Sequence, residues 1–448
     1  MPPDDLLCEV LAHTKPSADE EYQIKCAARE VIDRIDSAAR EEGLDVYAIH
    51  VGSTARDTWL RGKKDIDIFL MFPPDTPREK LEEDGLRLAR VVSPQFEERY
   101  AEHPYITAIY RDIEVDLVPC YHVRDAAHIQ SAVDRSPFHN QYILAHIDSL
   151  CDQVRLLKQF TIGAGVYGSE LRTQGFSGYL CELLVLKYGS FMGVLEHGAG
   201  FRLGKVIDLE GHIDRSVEHP DPLVVIDPVD PRRNVAAALS EQKLCEFIDA
   251  CRRFLGDPSL CFFFPAPAVP ITGEGLRRLL KSRGTLLLAI SFKAPDIVED
   301  TLYPQLRKAE ASVVHLLERH EFKAYRSDVW SNDRSAILLE MLVWELPAIE
   351  RHLGPPVTER EHSEKFKEKY PRAYITGCRY AADLPRKYGN AVDLIRGQLI
   401  SCGLGKQVAV SIGEGFEVLA GEYTLELGPE FASFLSNFLR AEGPWSIQ

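Results

Sequence analysis

The sequence predicts an α+β multidomain chain, on three observations. Its 448 residues are more than one core ordinarily fills. Its hydrophobic pattern changes period along the chain: short strand-like runs and helices alternate as far as residue 118, helices dominate from 137 to 254, and strands return after Pro265, Pro267 and Pro270. Its composition, 45% hydrophobic and 27% charged, is that of a folded chain rather than a disordered, collagen-like or disulfide-stapled one.

Ser17 and Glu20 form a capping box at the start of the first predicted helix. Ile24, Ala28, Val31 and Ile35 mark its buried face, and Arg40 and Gly43 its end. Residues 46–51 (VYAIHV) then read as a strand, 54–61 as one or two helical turns, 66–72 as a second strand and 78–92 as a helix. Two more strands, 105–110 and 113–118, are joined by a tight turn at Arg111 and Asp112. Together these make a small mixed sheet with helices packed on it. Ser136 and Pro137 suit the N-cap and first position of a helix, and helices are expected at 137–148, 149–161, 177–194 and 240–255. The closing part predicts strands at 285–292, 335–346, 407–412 and 421–427, with helices at 302–319 and 429–440.

No apolar run approaches the roughly 20 residues a membrane span needs, and the first residues carry neither a basic nor an apolar signal region, so a cytoplasmic protein is expected. The ten cysteines never form a Cys-x-x-Cys pair, so neither a zinc site nor a disulfide framework is expected. The 52 Lys and Arg against 68 Asp and Glu give a net charge of −16, which at first argues against nucleic acid. Charge is local, however. Lys365, Lys367, Lys369, Arg372, Arg379, Arg386 and Lys387 are diluted by only Glu368 and Asp383, and are interleaved with Phe366, Tyr370, Tyr374, Tyr380 and Tyr388, a pattern suited to phosphate contact and base stacking. A smaller basic cluster lies at Arg277, Arg278, Lys281 and Arg283. By charge alone, a solvated helix with core tyrosines explains the longer run equally well.

The chemistry concentrates in residues 52–68. Chance supplies about ten acid-x-acid pairs in a chain of this composition, so Asp65-x-Asp67 means little by itself. Context gives it meaning. Residues i and i+2 of a strand point the same way, and two such carboxylates repel unless a cation lies between them, yet this strand continues apolar through Ile66, Ile68, Phe69 and Leu70. Upstream, Gly52 and Ser53 end one strand and open a helical turn, where backbone N–H groups and a hydroxyl can hold a polyphosphate. A third acid on a neighbouring strand would complete an oxygen shell for Mg²⁺. Asp116, inside the apolar run 113–118, fits best, and Glu114, two residues earlier on the same face, is the alternative.

These pieces resemble the DNA polymerase beta-like nucleotidyltransferase superfamily: Gly-Ser, a short helix, Asp/Glu-x-Asp and a distant third Asp. The resemblance extends over essentially the whole chain to the archaeal-type (class I) CCA-adding tRNA nucleotidyltransferases. It is carried by residues 52–69, Arg135-Ser136-Pro137-Phe138-His139, Val154-Arg155-Leu156-Leu157-Lys158, Tyr167-Gly168-Ser169-Glu170 and, most specifically, Gly175-Phe176-Ser177-Gly178-Tyr179-Leu180-Cys181-Glu182. Asp227-Pro228-Val229-Asp230, residues 233–237, residues 296–300 and Gly354-Pro355-Pro356-Val357 also fit. The family admits Glu or Asp as first acid of the pair, and here it is Asp65.

The resemblance implies a polymerase-beta-like palm (1–142), a helical neck (143–262), an α+β body (263–320 and 392–448) and a tail (321–391) that meets the tRNA elbow. It implies that Asp65, Asp67 and Asp116 are catalytic and bind two Mg²⁺. Gly52, Ser53, Arg56, His139, Lys158 and Tyr167 would hold the nucleotide, and Arg233 would help read the base. The implied reaction adds C, C and A to the 3′ end of tRNA from CTP and ATP, without a nucleic-acid template and with release of pyrophosphate, in a protein that binds the tRNA acceptor arm and works as a homodimer. Two readings differ in product: a poly(A)-type polymerase making long ATP-only tails, and a non-catalytic tRNA-binding scaffold.

Overall fold

Helix α1 (Pro3–Thr14), which no sequence signal announced, is followed by α2 (Ala18–Glu41). The capping box of α2 forms as expected: Ser17 Oγ accepts from the Glu20 amide at 3.2 Å, and Glu20 Oε2 accepts from the Ser17 amide at 2.9 Å. The structure, a computed structural model, describes residues 3–100, 103–213, 220–440, 443 and 445. It divides into two units, the first made of residues 1–266 with 442–448 and the second of residues 267–441.

The first unit continues with β1 (Tyr47–Val51), α3 (Gly52–Ala55), β2 (Ile66–Phe72), α4 (Arg78–Ala89), β3 (Phe96–Tyr100), β4 (Pro104–Tyr110) and β5 (Ile113–Tyr121). The strands form one mixed sheet of order β1-β2-β5-β4-β3, in which β2 and β5 are parallel and the other pairs antiparallel. Arg111 and Asp112 both have positive φ, as the tight β4–β5 turn requires. Alternation along β2 and β5 assigns the two faces. Ile66, Ile68, Leu70, Val115 and Leu117 join the core with Ile24, Val31 and Ile35 of α2, while Asp67 and Asp116 fall on the opposite face. The helical turn expected over 54–61 stops at Ala55, because Asp57 takes φ 55°, which helical backbone excludes.

Helices α5 (Ser136–His146), α6 (Cys151–Gly163), α7 (Gly178–Tyr188), α8 (Phe191–Gly198) and α9 (Glu241–Gly256) enclose a second core rich in phenylalanine, with the short parallel pair β6 (Lys205–Ile207) and β7 (Leu223–Val225) at its side. The helix expected at 177–194 is two. Gly189, at φ 78°, ends α7, and Ser190 starts α8 by accepting from the Gly193 amide at 3.0 Å.

The second unit holds α10 (Gly273–Arg283), β8 (Leu286–Lys293), α11 (Glu299–Arg319), β9 (Lys323–Ser331), β10 (Arg334–Val343), β11 (Ile349–Pro356), α12 (Arg360–Lys369), β12 (Tyr374–Thr376), β13 (Arg379–Pro385), α13 (Ala391–Gln398), α14 (Lys406–Glu414), β14 (Phe416–Ala420) and α15 (Pro429–Leu439). A four-stranded sheet, β14-β8-β10-β9, is covered on one face by α11, α13 and α14 and on the other by α10 and α15. A three-stranded sheet, β11-β13-β12, carries α12. β9 and β10, which follow residue 321, hydrogen-bond into the sheet of β8 and β14. The strand expected at 407–412 is helix α14, whose Val408, Ser411 and Ile412 face inward at helical spacing. Residues 421–427 are a tight 3₁₀ turn, and the strand pairing with β8 is 416–420. No single helix among the described residues is long and apolar enough to cross a membrane.

Glu340 on β10 is fully buried and takes Arg283 Nε, Arg326 Nε and Thr285 Oγ1, each at 2.7 Å. Burying a carboxylate is tolerable only with such complete pairing, and removing it strands two guanidinium groups. Glu340→Ala is expected to lower the unfolding free energy of this unit by roughly 2–4 kcal/mol, measured as the urea midpoint with unchanged slope.

Candidate active site

Strand pairing creates the site. Asp67 on β2 lies directly beside Asp116 on parallel β5, and opposite Val51, the last residue of β1. The chain must turn at the next residue, and Gly52 does so at φ 81°. A Cβ at Gly52 would overlap the Asp67 carboxylate, so glycine is needed for both conformation and space. Thr107 on β4 donates to Asp116 Oδ1 at 2.6 Å, which fixes that carboxylate from its other flank.

The local chemistry is crowded negative charge. Burial pushes the Asp67 carboxyl up to about 7, with Asp116 and Asp65 adding repulsion and Arg56 opposing it. Asp116 is raised by burial and by neighbouring Glu114 and Asp65, against the Thr107 hydrogen bond. Asp65 itself is exposed at the edge of β2. The alternative third acid, Glu114, is exposed and ion-paired to Arg99 at 3.3 Å. Among the described residues no three His, Cys, Asp or Glu side chains are already drawn into a metal cage. Two adjacent, partly buried carboxylates of raised pKa are nonetheless a donor set that a hard divalent cation relieves.

The remaining expected nucleotide residues gather around two buried acids. Glu182 on α7, fully buried, accepts from Arg56 Nε at 3.1 Å and from Thr58 Oγ1, with a second Arg56 contact at 3.1 Å. Lys158 on α6 is also buried; its Nζ donates to Thr58 O at 3.0 Å and Thr58 Oγ1 at 3.2 Å, and lies 3.7 Å from Glu182. Burial pushes Glu182 up, but Arg56 and Lys158 outweigh it and hold it below the usual range. Burial lowers the Lys158 ammonium, with Glu182 opposing. Arg155, likewise buried, grips Trp59 O, Asp152 and Asp57, so the segment after α3 is tied to α6 at several points.

The second acid is Asp227, also fully buried. His139 Nε2 and Arg233 Nη1 both reach its Oδ2 at 2.8 Å, and Tyr179 stacks on His139 with ring centroids 4.1 Å apart. The two clusters are joined through α5, where Asn140, next to His139, accepts from Arg56 Nη1 at 3.3 Å.

The run 175–182 owes its composition to this geometry. A Cβ on Gly175 would overlap the Val166 carbonyl. Ser177 Oγ caps α7 by accepting from the Leu180 amide at 3.1 Å. A Cβ on Gly178 would lie 3.2 Å from the Tyr167 hydroxyl and 3.5 Å from Lys158 Nζ, so Tyr167 and Lys158 meet at the start of α7. Tyr179 faces His139, Leu180 and Cys181 enter the core, and Glu182 receives Arg56. Ser53 stands in the first turn of α3, next to Gly52.

In the sequence Glu182 and Asp227 are visible only as letters of motifs, and nothing there marks Thr58, Asn140 or Tyr179. An acid inside the apolar run Leu180-Cys181-Glu182-Leu183-Leu184 was the available signal. The basic clusters are weaker than they read. Arg283 is spent on Glu340, Arg277 on Glu422, Arg386 on Glu321 and Lys365 on Glu361. Lys367 and Lys369 lie over the rings of Tyr380 and Tyr370.

Two outcomes follow. Gly52→Ala is expected to displace the Asp67 carboxylate, costing roughly 1–3 kcal/mol in chemical denaturation from strain and overlap. Asp67→Asn is expected to stabilise the metal-free protein. The native carboxyl keeps its proton up to about pH 7, whereas the unfolded chain loses it near pH 4. That contribution is therefore complete below pH 4 and is lost as pH rises through 7. The variant's advantage should open across this window and reach roughly 1–3 kcal/mol at pH 8, read from melting temperatures in a chelator.

Comparison with known proteins agrees along the chain. The family described as "Nucleotidyltransferase domain" matches residues 32–139, "tRNA nucleotidyltransferase, second domain" residues 152–264, and "CCA-adding enzyme, C-terminal domain" residues 283–421. The CCA-adding enzyme of Methanosarcina barkeri is 46% identical over 93% of this chain and 94% of its own. That of Methanosarcina acetivorans is 44% identical over 98% of both chains, and that of Methanothermobacter thermautotrophicus 43% identical over 97% of both. With such identity across nearly the full length of both partners, the chain belongs to the CCA-adding enzyme family.

Proposed function

We propose that Asp65, Asp67 and Asp116 are the catalytic carboxylates with which this family member adds C, C and A to the 3′ end of tRNA from CTP and ATP. The observation that carries the assignment is the register of Asp67 beside Asp116 on adjacent parallel strands, at the corner where Gly52 leaves room for the carboxylate. Asp116, with Oδ1 held by Thr107, presents its other oxygen to the attacking 3′-hydroxyl and takes its proton. Ser53 and the backbone at Gly52 bind phosphate oxygens. Arg56 and Lys158, both held by Glu182, form with Tyr167 the cationic and hydroxyl wall for the triphosphate. Mg²⁺, when bound by Asp65, Asp67 and Asp116, supplies charge stabilisation to the α-phosphate and the departing pyrophosphate.

His139 and Arg233 face the sugar and base. Cytosine N3 and adenine N1 accept hydrogen bonds, whereas uracil N3 and guanine N1 carry hydrogens, so a fixed guanidinium favours C and A with no template. The three-stranded sheet with α12, in the segment 321–391, is the surface we assign to the tRNA elbow, through shape and phosphate contacts. Residues 1–142 act as palm, 143–262 as neck, and 263–320 with 392–448 as body, the body sheet being completed by β9 and β10. The enzyme works in the cytoplasm as a homodimer.

A purified sample given Mg²⁺ and a tRNA lacking its last three nucleotides is expected to add two residues with CTP alone and three with CTP and ATP, at single-nucleotide gel resolution. Asp67→Asn and Asp116→Ala should each reduce extension by at least about a thousandfold while tRNA binding persists. A ladder from ATP alone would replace this reading with a poly(A)-type polymerase, and tRNA binding without extension would replace it with a scaffold.

A further inference from the structure

Asp227 is a buried carboxylate with four donors. Its Oδ2 accepts from His139 Nε2 and Arg233 Nη1, each at 2.8 Å, and its Oδ1 from the Val229 amide at 3.1 Å and the Tyr179 hydroxyl at 3.4 Å. Two carboxylate oxygens offer about four acceptor sites, so this one is saturated. Burial raises its pKa, but His139, Arg233 and the Val229 amide more than reverse that and keep it ionised.

The loop that presents it is closed on itself. The Asp227 amide donates to Arg233 O at 3.1 Å, and the Arg233 amide to Asp230 O at 2.9 Å. Asn234 locks the loop's end: its Oδ1 accepts from the Val225 and Ala236 amides at 2.8 and 2.9 Å, and its Nδ2 donates to Leu223 O at 2.9 Å. Arg135 Nε reaches Asp230 at 2.8 Å, so α5 and this loop are joined at both ends of the α5 start. A buried ion pair is a poor source of net stability, because desolvation offsets most of the attraction. What it supplies here is direction. Arg233 is about one-third exposed; Nη1 is committed to Asp227, while its Nε and Nη2 donors have no hydrogen bond among the described residues. The guanidinium is planar, so fixing one nitrogen and the loop behind it fixes where the free edge points.

We propose that Asp227 is a positioning residue for base selection, holding the free edge of Arg233 at the angle that accepts cytosine and adenine and rejects uracil and guanine. The inference rests on the reading of Arg233 as the base-reading side chain. It adds a second-layer requirement: selection depends on the carboxylate behind the arginine as much as on the arginine. His139, on the same Oδ2, is set by the same grip, with Tyr179 closing its other side.

The test is kcat/KM for CTP and for UTP on a tRNA lacking its last three nucleotides, in the wild type, Arg233→Ala, Asp227→Asn, Asp227→Glu and the double variant Asp227→Asn with Arg233→Ala. In Asp227→Asn an amide N–H₂ meets donors at one side of the grip, and in Asp227→Glu the charge stays but the oxygens move. Both are expected to lower the CTP-to-UTP ratio about tenfold or more, chiefly through KM for CTP, with kcat for CTP within about threefold. The double variant should discriminate no worse than Arg233→Ala, since Asp227 acts through Arg233. A merely structural role would depress CTP and UTP use together and leave the ratio unchanged. If Arg233→Ala lowers the ratio while a folded Asp227 variant preserves it, the role of Asp227 is overturned and the reading of Arg233 stands. If Arg233→Ala itself preserves the ratio, the base-reading assignment fails and this inference with it. Should Asp227→Asn fail to fold by circular dichroism, Asp227→Glu decides by the same ratio.

Discussion

The site depends on one steric and electrostatic constraint: the Asp67 carboxylate occupies the space that any side chain at residue 52 would fill, beside Asp116 on the next strand. Parallel pairing of β2 with β5 forces the two acids together, and burial withholds the water that would screen them. The strand-to-helix corner at Gly52 is equally forced, since only a residue without Cβ takes its conformation against that carboxylate. The crowded carboxylates, the glycine and the register are thus one feature seen from three sides. The cost in stability falls on the oxygens we assign to catalysis, as a preorganised site would require.

Around this corner the first unit is held by buried ions rather than apolar contact alone. Glu182 gathers Arg56, Thr58 and Lys158, and Arg155 gathers Asp57, Asp152 and Trp59 O. These ties fix Arg56 and Lys158, the cations we assign to the triphosphate, to α6 and α7, which sit in a tightly packed phenylalanine core. Asp227 does the same for His139 and Arg233. Asn140 and His139, consecutive on α5, connect the two groups, so the side chains around Glu182 and those around Asp227 share one frame.

The sequence made part of this legible. Asp65-x-Asp67 stands out because a pair of acids continuing into an apolar strand is physically odd, and the placement of Asp116 beside Asp67, with Glu114 exposed against Arg99, agrees with the apolar residues that flank Asp116. Capping at Ser17 and the turn at Arg111 and Asp112 are local, and local signals survive folding. What stayed hidden depends on contacts between distant segments. Glu182 and Arg56 are 126 positions apart, and nothing in either neighbourhood names the other. The alternating run in α14 imitated a strand because Val408 and Val410 differ only in tertiary burial, the one inside and the other exposed. The basic clusters overstated their surface charge for the same reason, their partners Glu340, Glu422 and Glu321 being supplied from elsewhere in the second unit.

If the crowded Asp67 carboxyl is where a divalent cation is received, binding that cation must expel the proton which burial and repulsion retain. Calorimetric titration of the metal-free protein with Mg²⁺ at pH 7, in buffers of different ionisation enthalpy, measures this directly. Net proton release on Mg²⁺ binding is expected at pH 7, falling away as pH rises well above 7 and clearly reduced in Asp67→Asn. Mg²⁺ binding with no proton release at pH 7, or with the same release in Asp67→Asn, would contradict it.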